Sequence, residues 1–249
     1  MRQRQAVSRR EFLAFGIGGT LFGWLPWFKP KFVALAGAEF RIVRRKHARR
    51  HFMVIHVDEE TARQVLTDYI RTHSGVAFLI EGHTRDVEIL SGQIDPNRMF
   101  SRTGAEASLR RLNQNWEQHQ IDEALDLLDR GREKLLRQLF PSRHRLLMAL
   151  HNNSEAYSVN NELDISDAHS LPQPNNPHAF FLCTDPNDYQ ILAGSPYNVV
   201  LQNKVRGPDD GSLSRRAAAR FQRYMNLEVR RGDAELQRQM LTWADENLR

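Results

Sequence analysis

Apolar and polar positions alternate along most of the chain with two distinct periods. Residues 40–46 and 51–57 are short runs rich in β-formers, joined by a basic turn. Over residues 59–73, Ala62, Val65, Leu66, Tyr69 and Ile70 recur at three- and four-residue spacing, which predicts an amphipathic helix. Residues 75–81 form a continuous apolar run, the pattern of a strand buried on both faces. Residues 85–90 alternate more loosely. Helices are predicted over 104–116 and 121–140, the second rich in Leu and in charge pairs one turn apart. Residues 146–150 read as another buried strand, and 152–178, rich in Asn, Ser, Asp and Pro, as a long loop. Strands over 179–184 and 197–202 flank a short helix at 186–193. A helix at 212–221, a strand at 224–229 and an amphipathic helix at 234–248 complete the pattern. Alternation of this kind predicts an α/β fold. We expect a single domain with a mixed, mostly parallel twisted sheet and helices on both faces.

The formal charge of +5 invites a nucleic-acid partner until it is mapped. Residues 1–36 hold six of the 35 basic residues and one of the 30 acidic ones, so the remainder is balanced at 29 of each. The first segment carries the basic excess, and Ser8-Arg9-Arg10-Glu11-Phe12-Leu13 within it resembles the twin-arginine export pattern. An apolar stretch over 14–28 follows. It is interrupted by Pro26 and is shorter than the ~20 residues a spanning helix needs. Ala34-Leu35-Ala36 is a small-x-small cleavage pattern, with an alternative cut after Ala38. The chain therefore divides into an export signal at 1–36 and one α/β domain at 37–249. This division implies passage through the twin-arginine translocase to the periplasm or cell envelope and no nucleic-acid partner. The cluster Arg41, Arg44, Arg45, Lys46, Arg49 and Arg50 lacks the interleaved aromatics that single strands require, and reads as a solvated hairpin edge.

One cysteine, Cys183, excludes an intrachain disulfide and a Cys-based metal cluster. It follows the apolar Phe180-Phe181-Leu182 and reads as a buried small hydrophobe. The chain has no nucleophile elbow, no phosphate-binding glycine loop after a strand, and no His-Glu-x-x-His helix.

In open α/β sheets ligands bind beyond the carboxyl ends of the strands. The residues delivered there are His56 and Glu59 after one strand, His151-Asn152-Asn153 after another, and Asn226-Leu227-Glu228 in the last. Taken singly, each has a plainer role: His56 as a capping histidine, Glu59 as a first-turn carboxylate, His151 as a polar strand end. Together they make a His/Glu/His set with a fourth position for water, the arrangement of catalytic zinc.

The order His56-x-x-Glu59, then Asp95-Pro96-Asn97-Arg98-Met99-Phe100, then Ala149-Leu150-His151-Asn152-Asn153, then Leu227-Glu228-Val229 resembles the zinc carboxypeptidase superfamily, in particular its aspartoacylase and succinylglutamate desuccinylase branch. The resemblance spans about residues 50 to 230. It implies that His56, Glu59 and His151 bind Zn2+, that Glu228 is the general base, and that Asn97 and Arg98 hold a substrate carboxylate. The chain departs from the family pattern at His56-Val57-Asp58-Glu59, where a glycine is usual; Asp58 is a competing or supporting carboxylate. The oxyanion arginine has no clean match. Arg85 is the first candidate and Arg102 the second, while Tyr157 and Tyr197 compete for a tyrosine near the scissile bond. The implied activity is a zinc-dependent hydrolase cleaving an amide bond next to a free carboxylate. With export, the expected substrates are peptidoglycan peptides, or else acylated amino acids. A muramoyl-alanine amidase and an exported binding module without catalysis are the alternatives.

Overall fold

A computed structural model of the chain describes residues 31–46 and 50–248. The twin-arginine pattern and the apolar stretch of 14–28 lie outside the described residues. The first half runs through β1 (Lys31–Leu35), β2 (Ala38–Arg45), β3 (His51–Val54), α1 (Glu60–Thr72), β4 (Gly75–Glu81), the small hairpin β5 (Val87–Ile89) and β6 (Gly92–Ile94), α2 (Arg102–Leu112) and α3 (Gln118–Leu139). The second half follows with β7 (Leu147–Asn153), β8 (Ala168–Ser170), β9 (Phe180–Cys183), α4 (Pro186–Leu192), β10 (Asn198–Leu201), α5 (Leu213–Ala219), β11 (Tyr224–Arg230) and α6 (Ala234–Asn247). No helix among the described residues is long and apolar enough to cross a membrane.

Nine strands form one mixed sheet in the order β1-β2-β4-β3-β7-β11-β9-β10-β8. Its centre, β4-β3-β7-β11, is parallel throughout. Parallel neighbours need a crossover: α1 leads from β3 to β4, and α2 with α3 from β4 to β7. Outside that centre, only β9 and β10 are parallel; β1–β2, β2–β4, β11–β9 and β10–β8 are antiparallel. The sheet is thus evenly mixed rather than mostly parallel. The difference comes from two strands the apolar pattern did not signal, β1 and β8, which extend the flanks antiparallel to their neighbours.

Side chains alternate across each strand and so supply two cores. In β3, Met53 packs on the side of α2, α3 and α5, with Leu109, Leu125, Leu128 and Ala217. Phe52 and Val54 pack on the other side, under α1, α4 and α6, with Leu66, Leu192 and Leu241. Helices therefore cover both faces, as the alternation predicts. Cys183 is free and buried in the second core.

The basic segment does not turn a β2–β3 hairpin, because β4 lies between those strands. Arg50, counted among the solvated charges, forms a largely buried ion pair with Asp245. Lys31–Ala36 was expected to lie outside the fold, yet β1 pairs with β2 from Lys31↔Ile42 to Leu35↔Ala38. Val33 and Leu35 are 4% and 1% exposed. A Cβ added to Gly131 of α3 would come within 2.9 Å of Leu35 Cδ1, so the helix rests closely on this strand. The small-x-small pattern Ala34-Leu35-Ala36 thus lies in the β1 end of the hairpin, with Ala34 and Leu35 paired in the sheet. A cut after Ala36 or Ala38 would remove β1.

Leu35→Ala should lower stability by about 2–5 kcal/mol, the usual cost of truncating a buried leucine. Denaturant unfolding would measure this. An unchanged midpoint would mean that β1 contributes nothing to the fold.

Candidate metal centre

Because β3, β7 and β11 are parallel, their carboxyl ends lie along one edge of the sheet. The register sets Glu228 opposite His151, and neighbouring strands lie ~4.8 Å apart. Tyr224 packs in the core under α2, α3 and α5, and Met225, Leu227 and Val229 in the other. Alternation then sends Asn226 and Glu228 to the same side as Tyr224. His56 follows β3 by two residues, and Glu59 is the N-cap residue of α1.

An N-cap side chain ordinarily accepts a hydrogen bond from the first turn. Glu59 makes no such bond. Asn152 of β7 does the capping instead, its Oδ1 accepting from Ala62 N at 2.8 Å, while its Nδ2 donates to Gln237 Oε1 of α6 at 3.2 Å. The Glu59 carboxylate is thereby free to turn toward the histidines.

His56 donates through Nδ1 to Glu59 Oε1 (2.8 Å) and through Nε2 to Asp95 Oδ1 (3.0 Å). His151 Nδ1 lies 3.3 Å from Glu59 Oε1 and 3.2 Å from Oε2. All three residues are buried. Burial works against charge on His56, but hydrogen bonds to Asp95 and Glu59 outweigh it and raise its pKa to about 9. Burial alone would raise the Glu59 carboxyl; the charge and hydrogen bond of His151, with those of His56, hold it down at about 2. His151 is also raised despite its burial, by the charges of Glu59 and Glu228. Asp95 is held below the usual carboxylate range against its own burial, chiefly by its hydrogen bond with His56.

These residues fit a metal ion. One donor atom from each of His56, Glu59 and His151 can be chosen so that all lie within 4.8 Å of one another. Ligands ~2 Å from a tetrahedral ion stand about 3.3 Å apart, and the Glu59 carboxylate lies 2.8 Å from His56 Nδ1 and 3.2 Å from His151 Nδ1. Buried Glu59 Oε2 accepts no hydrogen bond, leaving an unused lone pair at the centre of the group. Asp95 supplies the carboxylate that metal-binding histidines commonly use to fix ring orientation.

The three open onto a cavity of about 740 Å³, also lined by Arg85, Asn97, Arg98, Asn153, Tyr157 and Glu228. His56, Glu59, Arg85, Asn97, Arg98, His151 and Glu228 are therefore brought together on one cavity. Burial raises Glu228 to about 7, against the pull of His151 and with the added push of Glu59. Asn153 Nδ2 donates to Glu228 Oε2 at 3.4 Å. Arg85 stands in the loop after β4, with Nη1 3.1 Å from Asp58 Oδ1 and 3.7 Å from Glu59 Oε1. Asp58 holds Arg85 and Arg231, Oδ2 meeting the latter at 3.0 Å. Asn97 Oδ1 accepts from Leu213 N, leaving its Nδ2 for the cavity.

Arg102 and Tyr197 are not in the site. Arg102 pairs with Asp126 and Asp129 on α3, and Tyr197 packs against Phe181 and Trp243. Asp95, Asn152 and Asn153 stand within the motifs, but nothing in the sequence signalled their supporting roles. The Tyr157 hydroxyl donates to Glu162 Oε1 at 2.7 Å, and Gln202 Nε2 donates to Glu162 Oε2 at 2.6 Å. Neither Glu162 nor Gln202 stood out in the sequence. Comparison of the chain with protein-family models, curated proteins and solved structures gave no match.

Asp95→Asn should weaken binding of a divalent metal ion by about 10–100-fold, the usual cost of losing a carboxylate behind a ligand histidine. Competition against a chromophoric chelator would measure it. Wild-type affinity in the variant would show that Asp95 does not support the centre.

Proposed function

We propose that the chain is a zinc-dependent hydrolase that cleaves an amide bond next to a free carboxylate. The observation that carries this reading is the meeting of His56, Glu59 and His151 with Glu228 and the Asn97-Arg98 pair on one cavity. Two imidazoles and a carboxylate, without thiolate, suit zinc with an open position. Zinc bound there supplies a Lewis acid for the substrate carbonyl and lowers the pKa of water.

The residues have separable tasks. Glu228, held near neutral pKa, takes the proton of the attacking water and returns it to the leaving amine. Arg98 meets the substrate carboxylate, for which a guanidinium is a matched bidentate donor, and Asn97 adds its Nδ2. Arg85, the nearest cation to Glu59 at the rim, stabilises charge developing on the carbonyl oxygen. Tyr157, its hydroxyl held by Glu162, is part of the wall of the same cavity.

The Ser8–Leu13 pattern supports an exported enzyme of the periplasm or cell envelope. In that compartment the abundant amides beside carboxylates are peptidoglycan stem peptides. We therefore favour a carboxypeptidase or amidase acting on cell-wall peptides.

Purified protein should carry about one zinc per chain, and His56→Ala or His151→Ala should lose it. Protein that neither holds nor takes up metal at neutral pH would defeat the proposal. Glu228→Gln should keep zinc and fold but lose ~10²–10⁴-fold in kcat on digested muropeptides. Near-normal turnover would remove Glu228 from the mechanism. Arg98→Ala should cost more for substrates with a free carboxylate than for their amides, with part of the loss in KM. Equal losses on both would mean that Arg98 reads no carboxylate.

A further inference from the structure

The loop before α5 brings a second arginine to the carboxylate end of the cavity. Asp209-Asp210-Gly211-Ser212 packs directly on the Asn97-Arg98 turn. Phe100 N donates to Gly211 O at 3.1 Å, and Leu213 N to Asn97 Oδ1 at 3.1 Å. Gly211 has φ of +76°, and a Cβ on it would meet Arg98 O at 2.3 Å. A residue with a side chain there would push the loop away, so glycine sets the close approach. Arg98 and Arg215 consequently face a single carboxylate, that of Asp210.

The fit of that carboxylate is loose on both sides. Asp210 Oδ2 lies 3.7 Å from Arg98 Nη1, and Oδ1 lies 3.5 Å from Arg215 Nε. Charge-assisted hydrogen bonds between such groups are ~2.7–2.9 Å long. Instead, Arg98 Nη1 donates to Asn97 O at 3.0 Å, Arg215 Nη1 to Arg206 O, and Asp210 Oδ1 accepts from Ser212 N at 2.9 Å. The Arg215 side chain is 12% exposed, whereas that of Asp210 is 44% exposed. The cation is therefore held in the wall while the carboxylate stands at the surface. All three residues line the cavity.

We infer that Arg215 is a second carboxylate-binding arginine and that Asp210 is a placeholder, displaced when a ligand's carboxylate enters between Arg98 and Arg215. This rests on the reading of Arg98 as a carboxylate clamp, and extends it. With Asp210 in place the trio carries one net positive charge; with Asp210 turned outward, the two guanidinium groups meet the ligand. The specificity of the cavity for anionic substrates then comes from two elements, the turn after β6 and α5.

Binding of succinate and of its neutral diamide, succinamide, to the full chain by calorimetry tests this. Asp210→Asn keeps the acceptor for Ser212 N and removes the competing charge. It should tighten succinate about two- to fivefold, the range of an exposed ion pair, and leave succinamide unchanged. Arg215→Gln should weaken succinate by about tenfold or more, as loss of a charged hydrogen-bond donor does. Thermal unfolding of each variant, and Arg215→Lys if the glutamine variant does not fold, separate binding from stability. Unchanged or weaker succinate binding in Asp210→Asn overturns the placeholder role. Undiminished binding in a folded Arg215 variant overturns the second arginine. If Arg98→Gln alone abolishes binding, this inference falls and the Arg98 clamp stands. If wild type binds succinate no better than succinamide, the clamp itself falls.

Discussion

The Glu59 carboxylate sits almost wholly out of water between two imidazoles, and the arrangement of the site follows from keeping it charged. An isolated buried carboxylate costs several kcal/mol and would take up a proton instead. Here His56 approaches it from the turn after β3 and His151 from β7, Arg85 stands 3.7 Å away, and the positive end of α1 lies beneath it. None of this works if Glu59 turns back to cap its own helix. Asn152, the neighbour of His151, takes that duty from across the sheet. Adjacent residues on one strand point to opposite faces, so His151 can serve the site while Asn152 serves α1 and α6.

The same economy appears around the cavity. Asp95 starts the 3-10 turn Pro96–Arg98 by accepting from Asn97 N and at the same time orients His56. Asn97 uses its oxygen on α5 and keeps its amide for the cavity. Most charges at the rim are compensated: Arg85 and Arg231 by Asp58, Arg230 by Glu155. Such pairing holds the arginines in place without neutralising the centre. The pairing is looser at Asp210, which stands 3.7 Å from Arg98 and 3.5 Å from Arg215.

The fold places this chemistry at the ends of its parallel centre and joins the flanks to that centre by antiparallel pairing. A parallel centre sends the ends of β3, β4, β7 and β11 to one edge, so residues 172 positions apart in sequence, His56 and Glu228, line one cavity. The antiparallel additions need no crossover helices. They widen the sheet and cover the core, β1 with Val33 and Leu35 on one side, β8 alongside β10 on the other.

Much of this was legible in the sequence because it is local. Periodicity along a strand or helix depends on residues a few positions apart, so the strands and helices read from the pattern stand within a few residues of their expected ends. Strand-end logic singled out His56, Glu59, His151 and Glu228 for the same reason. What tertiary structure decided is the set of relations with no local signature. The placing of β4 between β2 and β3 depends on which edges pair after crossover. The inclusion of Lys31–Leu35 depends on a neighbour strand and on α3, against a composition that resembles a cleavage site. Arg85 rather than Arg102, and Tyr157 rather than Tyr197, line the cavity because loops bring them there, and both members of each pair look alike in one dimension. The bonds from Asp95 to His56 and from Asn152 to Ala62 join residues 39 and 90 positions apart. Only packing of the sheet against its helices brings such groups within 3 Å, and no spacing rule along the chain encodes that distance.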